Sequence, residues 1–387
     1  MKILFVAMQY IHAVRWINQL KDSSHDVYVF DCLDRPIHEE LQWTNYVTGW
    51  KKRKIRRLKG ETFLKKKFPR LNEKVEPLLK VTASEKLQEL IEEIKPDIVH
   101  SMELQTESYP LISVRKKIHF KWVCSTWGSD IYHFYNDSFH KEKIKTLLAQ
   151  IDYLFTDNVR DIALAQQYGF LGKALGSYPG GGGFLVDEEM ITPVENRKLI
   201  LVKGYHHWAG CALHALKALE NTIHLVKEYH IHVYAAHPVV VTEIERLQSE
   251  YQLQITYTKR GFEESHTSLM KKFGAAKIAI GISITDGIPN TMLEAMLYGA
   301  FPIQTNPGNV SEEYITHQIN GWLINDAENI HEITTAIKES LTNKELLLTA
   351  FENNKKYRTS LSYQCIQQKV LEAYQKIQQN LKNNHDN

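Results

Sequence analysis

The chain has 387 residues, 43% of them hydrophobic and 24% charged, which excludes global disorder and is long enough for two domains of ordinary size. Its four cysteines, Cys32, Cys124, Cys211 and Cys365, are far apart, with no C-x-x-C pair and no histidine cluster at zinc spacing. Neither a disulfide framework nor a structural metal is expected, and a reducing cytoplasm fits. The formal charge of +2 is uneven: residues 51–70 hold eleven Lys/Arg against one acid, Glu61, so that segment is +10 and the remainder, +2 less +10, is −8.

The opening M-K-I-L-F-V-A-M is too short an apolar run for a signal peptide and reads as a first strand. No apolar run approaches the roughly 18 residues of a spanning helix, so any membrane contact is expected to be peripheral. Short β-rich runs then alternate with longer helical stretches, the pattern of parallel sheets built from βαβ units. Strands are predicted near 2–8, 26–31, 97–101, 121–126 and 152–156. A second series starts near 198–203 and continues near 231–236, 252–258, 277–283 and 301–305. Between them lies P-G-G-G-G at 179–183, followed by an acidic stretch and Pro193, a composition that argues against regular structure. The glycines carry no phosphate-loop spacing and read as a hinge. The domain boundary is placed there, giving 1–183 and 184–360. After Asn329 the pattern is helical, and Ile366, Val370, Leu371, Tyr374 and Ile377 make one apolar face, so a last helix over 361–382 is expected to pack back on the first domain.

The strand at 277–283 leads through I-T-D-G-I at 284–288 into a helix beginning at Pro289, a residue suited to the first helical position, and Gly299 closes it. In an open parallel sheet ligands sit beyond the carboxyl ends of the strands. The helix start around Asn290 and Thr291 presents backbone N–H groups and the positive dipole end to an anion such as a diphosphate. Glu294 falls one turn deeper on the same face as Asn290, and Asp286 precedes the helix beside Gly287. Carboxylates repel phosphate but accept hydrogen bonds from vicinal sugar hydroxyls, which suits ribose at one end and a hexose at the other.

The run S-I-T-D-G-I-P-N-T-M-L-E-A-M at 283–296, then G-A-F-P-I at 299–303, resembles the signature of retaining glycosyltransferases of family 4, with its acidic-x7-Glu motif. Asp286 stands where most members carry Glu. The continuation N-P-G-N-V-S-E-E-Y-I at 306–315 and Asn320-Gly321 also matches, with Glu313 at the motif's acidic position and Asn309 replacing a glycine. Weaker matches to bacterial members lie at 11–16, 95–100, 125–131 and 201–205. The resemblance implies an α/β chain of the GT-B fold, two facing Rossmann-like domains with a deep interdomain cleft. It implies donor binding by the C-terminal domain and acceptor binding by the N-terminal one.

Other candidates follow from position. Lys203 ends the first strand of the second domain and is either a diphosphate partner or a solvated strand end. The following Y-H-H-W-A-G at 205–210 lacks the Arg and Lys that many members place there, and Lys259 and Arg260 at a neighbouring strand end are the substitutes. His12 and Arg15 follow the first strand on the acceptor side, although His12 fits equally beneath Trp16. Asp130 either faces the cleft or caps a helix, and His100 is expected to face the acceptor. Asp286, Asp130 and His100 are the candidate catalytic residues; Glu294, Gly287, Asn290, Thr291, Lys203, Lys259, Arg260 and Glu313 are the candidate donor-binding ones.

No Asp-x-Asp motif occurs, so a metal-free transfer is expected, with no cofactor beyond a nucleotide-sugar co-substrate of UDP or GDP type. The expected acceptor is a glycan or lipid-linked glycan. The resemblance implies retention, without a protein nucleophile. A GT-B-like nucleotide-sugar epimerase and a non-catalytic nucleic-acid or membrane adaptor are the competing readings, and the absent glycine fingerprint disfavours an NAD-dependent oxidoreductase. Residues 51–70, with Trp43, Trp50, Phe63, Leu64 and Phe68 nearby, suit an anionic membrane at the inner face of the cell membrane. Nucleic acid is not the expected partner.

Overall fold

The computed structural model describes residues 1–56, 60–261 and 264–383. Of the basic stretch, Arg57, Leu58 and Lys59 lie outside the described residues, as do the side chains of Pro69 and Arg70. The chain divides into two compact units: residues 1–156, 161–182 and 369–387 form the first, and residues 157–160 and 183–368 the second. The division after Gly182 falls inside the glycine run.

The first unit holds β1 (Lys2–Ala7), β2 (Asp26–Phe30), β3 (Asn45–Val47), β4 (Ile98–Met102), β5 (Trp122–Thr126), β6 (Tyr153–Thr156) and β7 (Lys173–Ser177). They form one seven-stranded sheet in the order β3-β2-β1-β4-β5-β6-β7, parallel throughout. The second holds β8 (Leu199–Lys203), β9 (His230–Ala236), β10 (Ile255–Lys259), β11 (Ala276–Gly281), β12 (Phe301–Thr305) and β13 (Trp322–Ile324). Its order is β10-β9-β8-β11-β12-β13, again parallel. Each order turns back once, between β1 and β4 in the first sheet and between β8 and β11 in the second. Those switch points open a crevice at the carboxyl ends of the strands. The sequence reading missed β3, β7 and β13, two of which have only three residues, and placed β10 three residues early.

Buried central strands need no polar face, and β4, β5, β6 and β12 are buried along their whole length. Leu4, Val6, Val99, Trp122 and Leu154 anchor the first core, and Ile200, Val202, Ile231, Val233, Ile280 and Ile303 the second. The last helix, Tyr363–Asn383, starts in the second unit and continues in the first from Lys369 onward. There Tyr374 is fully buried, its hydroxyl 2.7 Å from His100 Nδ1 and 3.3 Å from Trp16 Nε1.

In the second unit the helix Asn290–Tyr298 is buried from Met292 onward and ends at Gly299, whose φ of +81° a side chain would strain. The Arg197 guanidinium, 1% exposed, reaches that end of the helix and donates to the carbonyls of Thr192, Ala276, Tyr298 and Gly299. An arginine satisfies carbonyls that would otherwise be buried without partners.

Candidate active site

The switch point of the second sheet is where the predicted donor residues meet. Lys203 ends β8, and Asp286 lies in the loop after β11, the neighbouring strand. Their Nζ and Oδ2 stand 3.7 Å apart and both side chains are largely buried, so Lys203 is a paired cation rather than a solvated strand end. Asp286 Oδ1 accepts from the Gly287 N–H at 3.0 Å. A Cβ at Gly287 would meet the Asp157 carboxylate at 2.2 Å, so a side chain there would force that carboxylate to move. The helix then begins at Asn290 with Pro289 as N-cap, one residue later than read from sequence. Proline has no side chain able to cap, so no side chain of the N-cap occupies the first N–H groups at the positive end of this helix.

Glu294 is 5% exposed, and its Oε1 is 3.0 Å from Nε2 of His266, in the first turn of the helix His266–Ala275. A buried carboxylate needs such a partner. Arg260, after β10, lays its guanidinium 4.6 Å from the centre of the Tyr205 ring, and Lys203 Nζ lies 5.0 Å from the same ring. Lys259 is exposed at the end of β10. Glu313 does not point a free carboxylate at a ligand: its Oε1 accepts the backbone N–H groups of Val159 and Arg160 at 2.7 and 3.3 Å.

The switch point of the first sheet receives the other candidates, and here the expectation for His100 is corrected. His100 is fully buried, hydrogen-bonded through Nδ1 to Tyr374 and through Nε2 to Ser125 Oγ at 2.8 Å, and packed against Phe5, Trp16 and Phe155. Burial pushes its pKa down to about 3, so it is a neutral core residue and reaches no acceptor. Asp130, 5% exposed, accepts the Trp127 N–H at 3.0 Å and so ties its own turn, a bond that is not the helix cap offered by the sequence. His12 sits edge-on to Trp127 at 6.3 Å rather than beneath Trp16. His12 and Arg15 are part-exposed on the helix Ile11–Asn18 that follows β1.

Sequence reasoning missed two residues at the second sheet's switch point. Arg160 donates to the carbonyls of Pro307 at 2.7 Å and Asp286 at 3.2 Å, tying together the loops after β11 and β12. Nothing in the sequence links residue 160 to loops more than 120 positions away. His266 was not among the candidates; its place at the start of a helix after β10 was the available signal.

Comparison with known proteins bears on the fold and the class of chemistry. The model of the glycosyl transferase 4-like family matches residues 2–158, and that of glycosyl transferases group 1 matches residues 213–357. No curated protein matches the chain. Among solved structures, a glycosyltransferase from Rickettsia africae is similar over 98% of this chain and 99% of its own, at 16% identity and a TM-score of 0.62. Anabaena HepE in complex with UDP-glucose is similar over 97% and 100%, at 13% identity and a TM-score of 0.66. Sucrose-phosphate synthase from Thermosynechococcus elongatus is similar over 97% and 98%, at 13% identity and a TM-score of 0.66. At such identities the likeness fixes the fold, and the family models add the class of chemistry. With a glycosyltransferase model on each half and the two parallel-sheet units of GT-B structures, the chain is a glycosyltransferase of the GT-B fold.

Proposed function

We propose that the protein moves a hexose from a nucleoside-diphosphate sugar to a glycan or lipid-linked acceptor, with retention of anomeric configuration and without a divalent metal. The observation that carries this reading is the second unit's switch point. There Lys203 and Arg260 lie against one ring, that of Tyr205, Lys203 pairs with Asp286 in the loop that leads into the Asn290–Tyr298 helix, and Glu294 stands one turn into that helix. Cations and a helix dipole stabilise the diphosphate as it leaves, while the carboxylates orient sugar hydroxyls. The anomeric carbon–oxygen bond to the diphosphate breaks and the acceptor oxygen bonds to the same face. The acceptor proton passes to a phosphate oxygen, so no protein nucleophile is needed. The UDP complex of the similar HepE structure supports a nucleotide-sugar donor. The cytoplasm is the compartment that supplies such donors.

The test pairs binding with turnover. Glu294→Ala is expected to weaken nucleotide binding, and Asp286→Ala chiefly to lower sugar transfer, with activity persisting in EDTA. Wild-type turnover and donor affinity in both variants would overturn the site, and activity lost to EDTA and restored by magnesium or manganese would overturn the metal-free step.

A further inference from the structure

The loop after β8 carries His206 and His207 where a clamp for phosphate needs donors, and a third histidine, His237, heads the helix Pro238–Tyr251 after β9. Their hydrogen bonds fix which ring nitrogens carry protons. His237 Nδ1 is 2.8 Å from the His206 carbonyl, which only accepts, and its Nε2 is 2.9 Å from Arg260 Nη1, which only donates. His237 is therefore the neutral Nδ1–H tautomer, and its lone pair holds the Arg260 guanidinium over Tyr205. His207 Nδ1 accepts the Ala209 N–H at 3.0 Å, so the proton of its neutral ring is on Nε2. The His207 side chain is exposed, 5.4 Å from the His237 ring and 5.9 Å from Tyr205.

We propose that His207 binds the donor's diphosphate as a neutral Nε2–H donor, beside Arg260 and Lys203, and that His237 is the positioning residue that aims Arg260. This rests on the nucleotide-sugar reading above and adds to it the identity of the groups that replace the missing basic loop residues. The groups facing His207 are Lys203 from β8, Tyr205 and His206 from its own loop, His237 from the helix head, and Arg260 from beyond β10. Although the ring is exposed at one edge, the partial loss of water on its packed side first, then the neighbouring His237, Arg260, Lys203 and His206, lowers its pKa, which favours the neutral ring. It acts through a directed hydrogen bond rather than a charge.

Calorimetric titration of the full chain with UDP-glucose and with GDP-mannose tests this, because neither diphosphate diester gains or loses a proton between pH 6.5 and 8.5. For whichever nucleotide sugar binds, His207→Ala is expected to weaken affinity about tenfold, the size of one hydrogen bond to a charged group. His207→Gln, whose amide replaces the N–H, should restore most of it. His237→Ala should weaken binding likewise and His237→Gln, whose carbonyl accepts from Arg260, should not, all four variants melting as the wild type does. Wild-type affinity should be flat over that pH range. Unchanged affinity in both alanine variants, or wild-type affinity rising steeply toward pH 6.5 and lost in His207→Gln, would overturn the neutral-donor assignment. Binding of neither nucleotide sugar by the wild type at any pH would overturn the donor reading itself.

Discussion

The Glu294 carboxylate shows how a buried acid is held in place by one partner. With 5% exposure it has lost most of its water, and the His266 bond at 3.0 Å occupies one oxygen and orients the other. Removing that bond should loosen the carboxylate without removing it. His266→Ala is expected to raise the donor KM severalfold with kcat nearly unchanged, and His266→Gln to recover part of the loss, as read from steady-state kinetics at varied donor concentration. A fall in kcat at constant KM would place His266 in the chemical step instead. The corrected role of His100 belongs at this scale too. The V-H-S run at a strand end reads as a polar residue at a crevice, but strand alternation around it depended on what lay above the sheet, and Tyr374, 274 positions later, supplied the cover.

Two elements make opposite demands on their surroundings. The Asn290–Tyr298 helix is buried, and Arg197 joins its carboxyl end to the start of β11 through carbonyls of Tyr298, Gly299 and Ala276. Arg197→Met would leave several buried carbonyls unpaired, at about 1–3 kcal/mol each before relaxation. Chemical denaturation should show a loss of about 3 kcal/mol or more, and a loss below about 1 kcal/mol would mean that water takes the place of the guanidinium. The helix Glu61–Lys67 is the reverse case, with no buried residue. Phe63 is 60% exposed and Phe68 53%, beside Lys65, Lys66 and Lys67, while Glu61, the one acid of the stretch, is paired with Arg53 at 2.6 Å. We take this as a surface for anionic lipid, where each Lys or Arg near the headgroups contributes about 1 kcal/mol. Sedimentation with anionic vesicles at low salt should carry the protein down, and high salt, neutral vesicles or the triple variant Lys51→Glu, Arg53→Glu and Arg56→Glu should release it. No sedimentation with anionic vesicles at low salt would make the stretch an ordinary solvated face.

Across the molecule, the stability of the first unit responds to pH through two buried groups of opposite sign. The His100 pKa, pushed down to about 3, means that the unfolded chain takes up a proton below about 6.5 that the folded unit refuses, so stability falls as pH drops from about 6.5 toward 3. Burial pushes Glu107 up to about 8, so the folded unit keeps a proton that the unfolded chain releases above about 4.5, and stability falls as pH rises from there toward 8. The two slopes, each ~1.4 kcal/mol per pH unit at full effect, oppose one another between about 4.5 and 6.5. Thermal melts should therefore show a plateau in that window with losses on both sides. Glu107→Gln should melt above the wild type at pH 8 and lose that advantage at pH 5; equal melting at pH 8 would show that Glu107 ionises there without penalty.

The sequence by itself determined the number of units, most of the strands and the βαβ segment that ends in Asp286 and Glu294. Those features are local: apolar runs of strand length, a proline at a helix start, a glycine at its end and a spacing that puts two carboxylates on one side of a turn. The tertiary structure alone decided which polar residues were spent inside the protein. Glu313 was used by the Val159 and Arg160 amides, Asp130 by the Trp127 amide, and His100 by Tyr374 and Ser125. It also decided which further residues reached the second sheet's switch point, bringing Arg160 to the Asp286 loop and His266 to Glu294. A buried polar atom must find a partner wherever the fold brings one. Parallel sheets draw neighbouring strands from distant parts of the chain, so those partners are set by strand order rather than by spacing along the sequence.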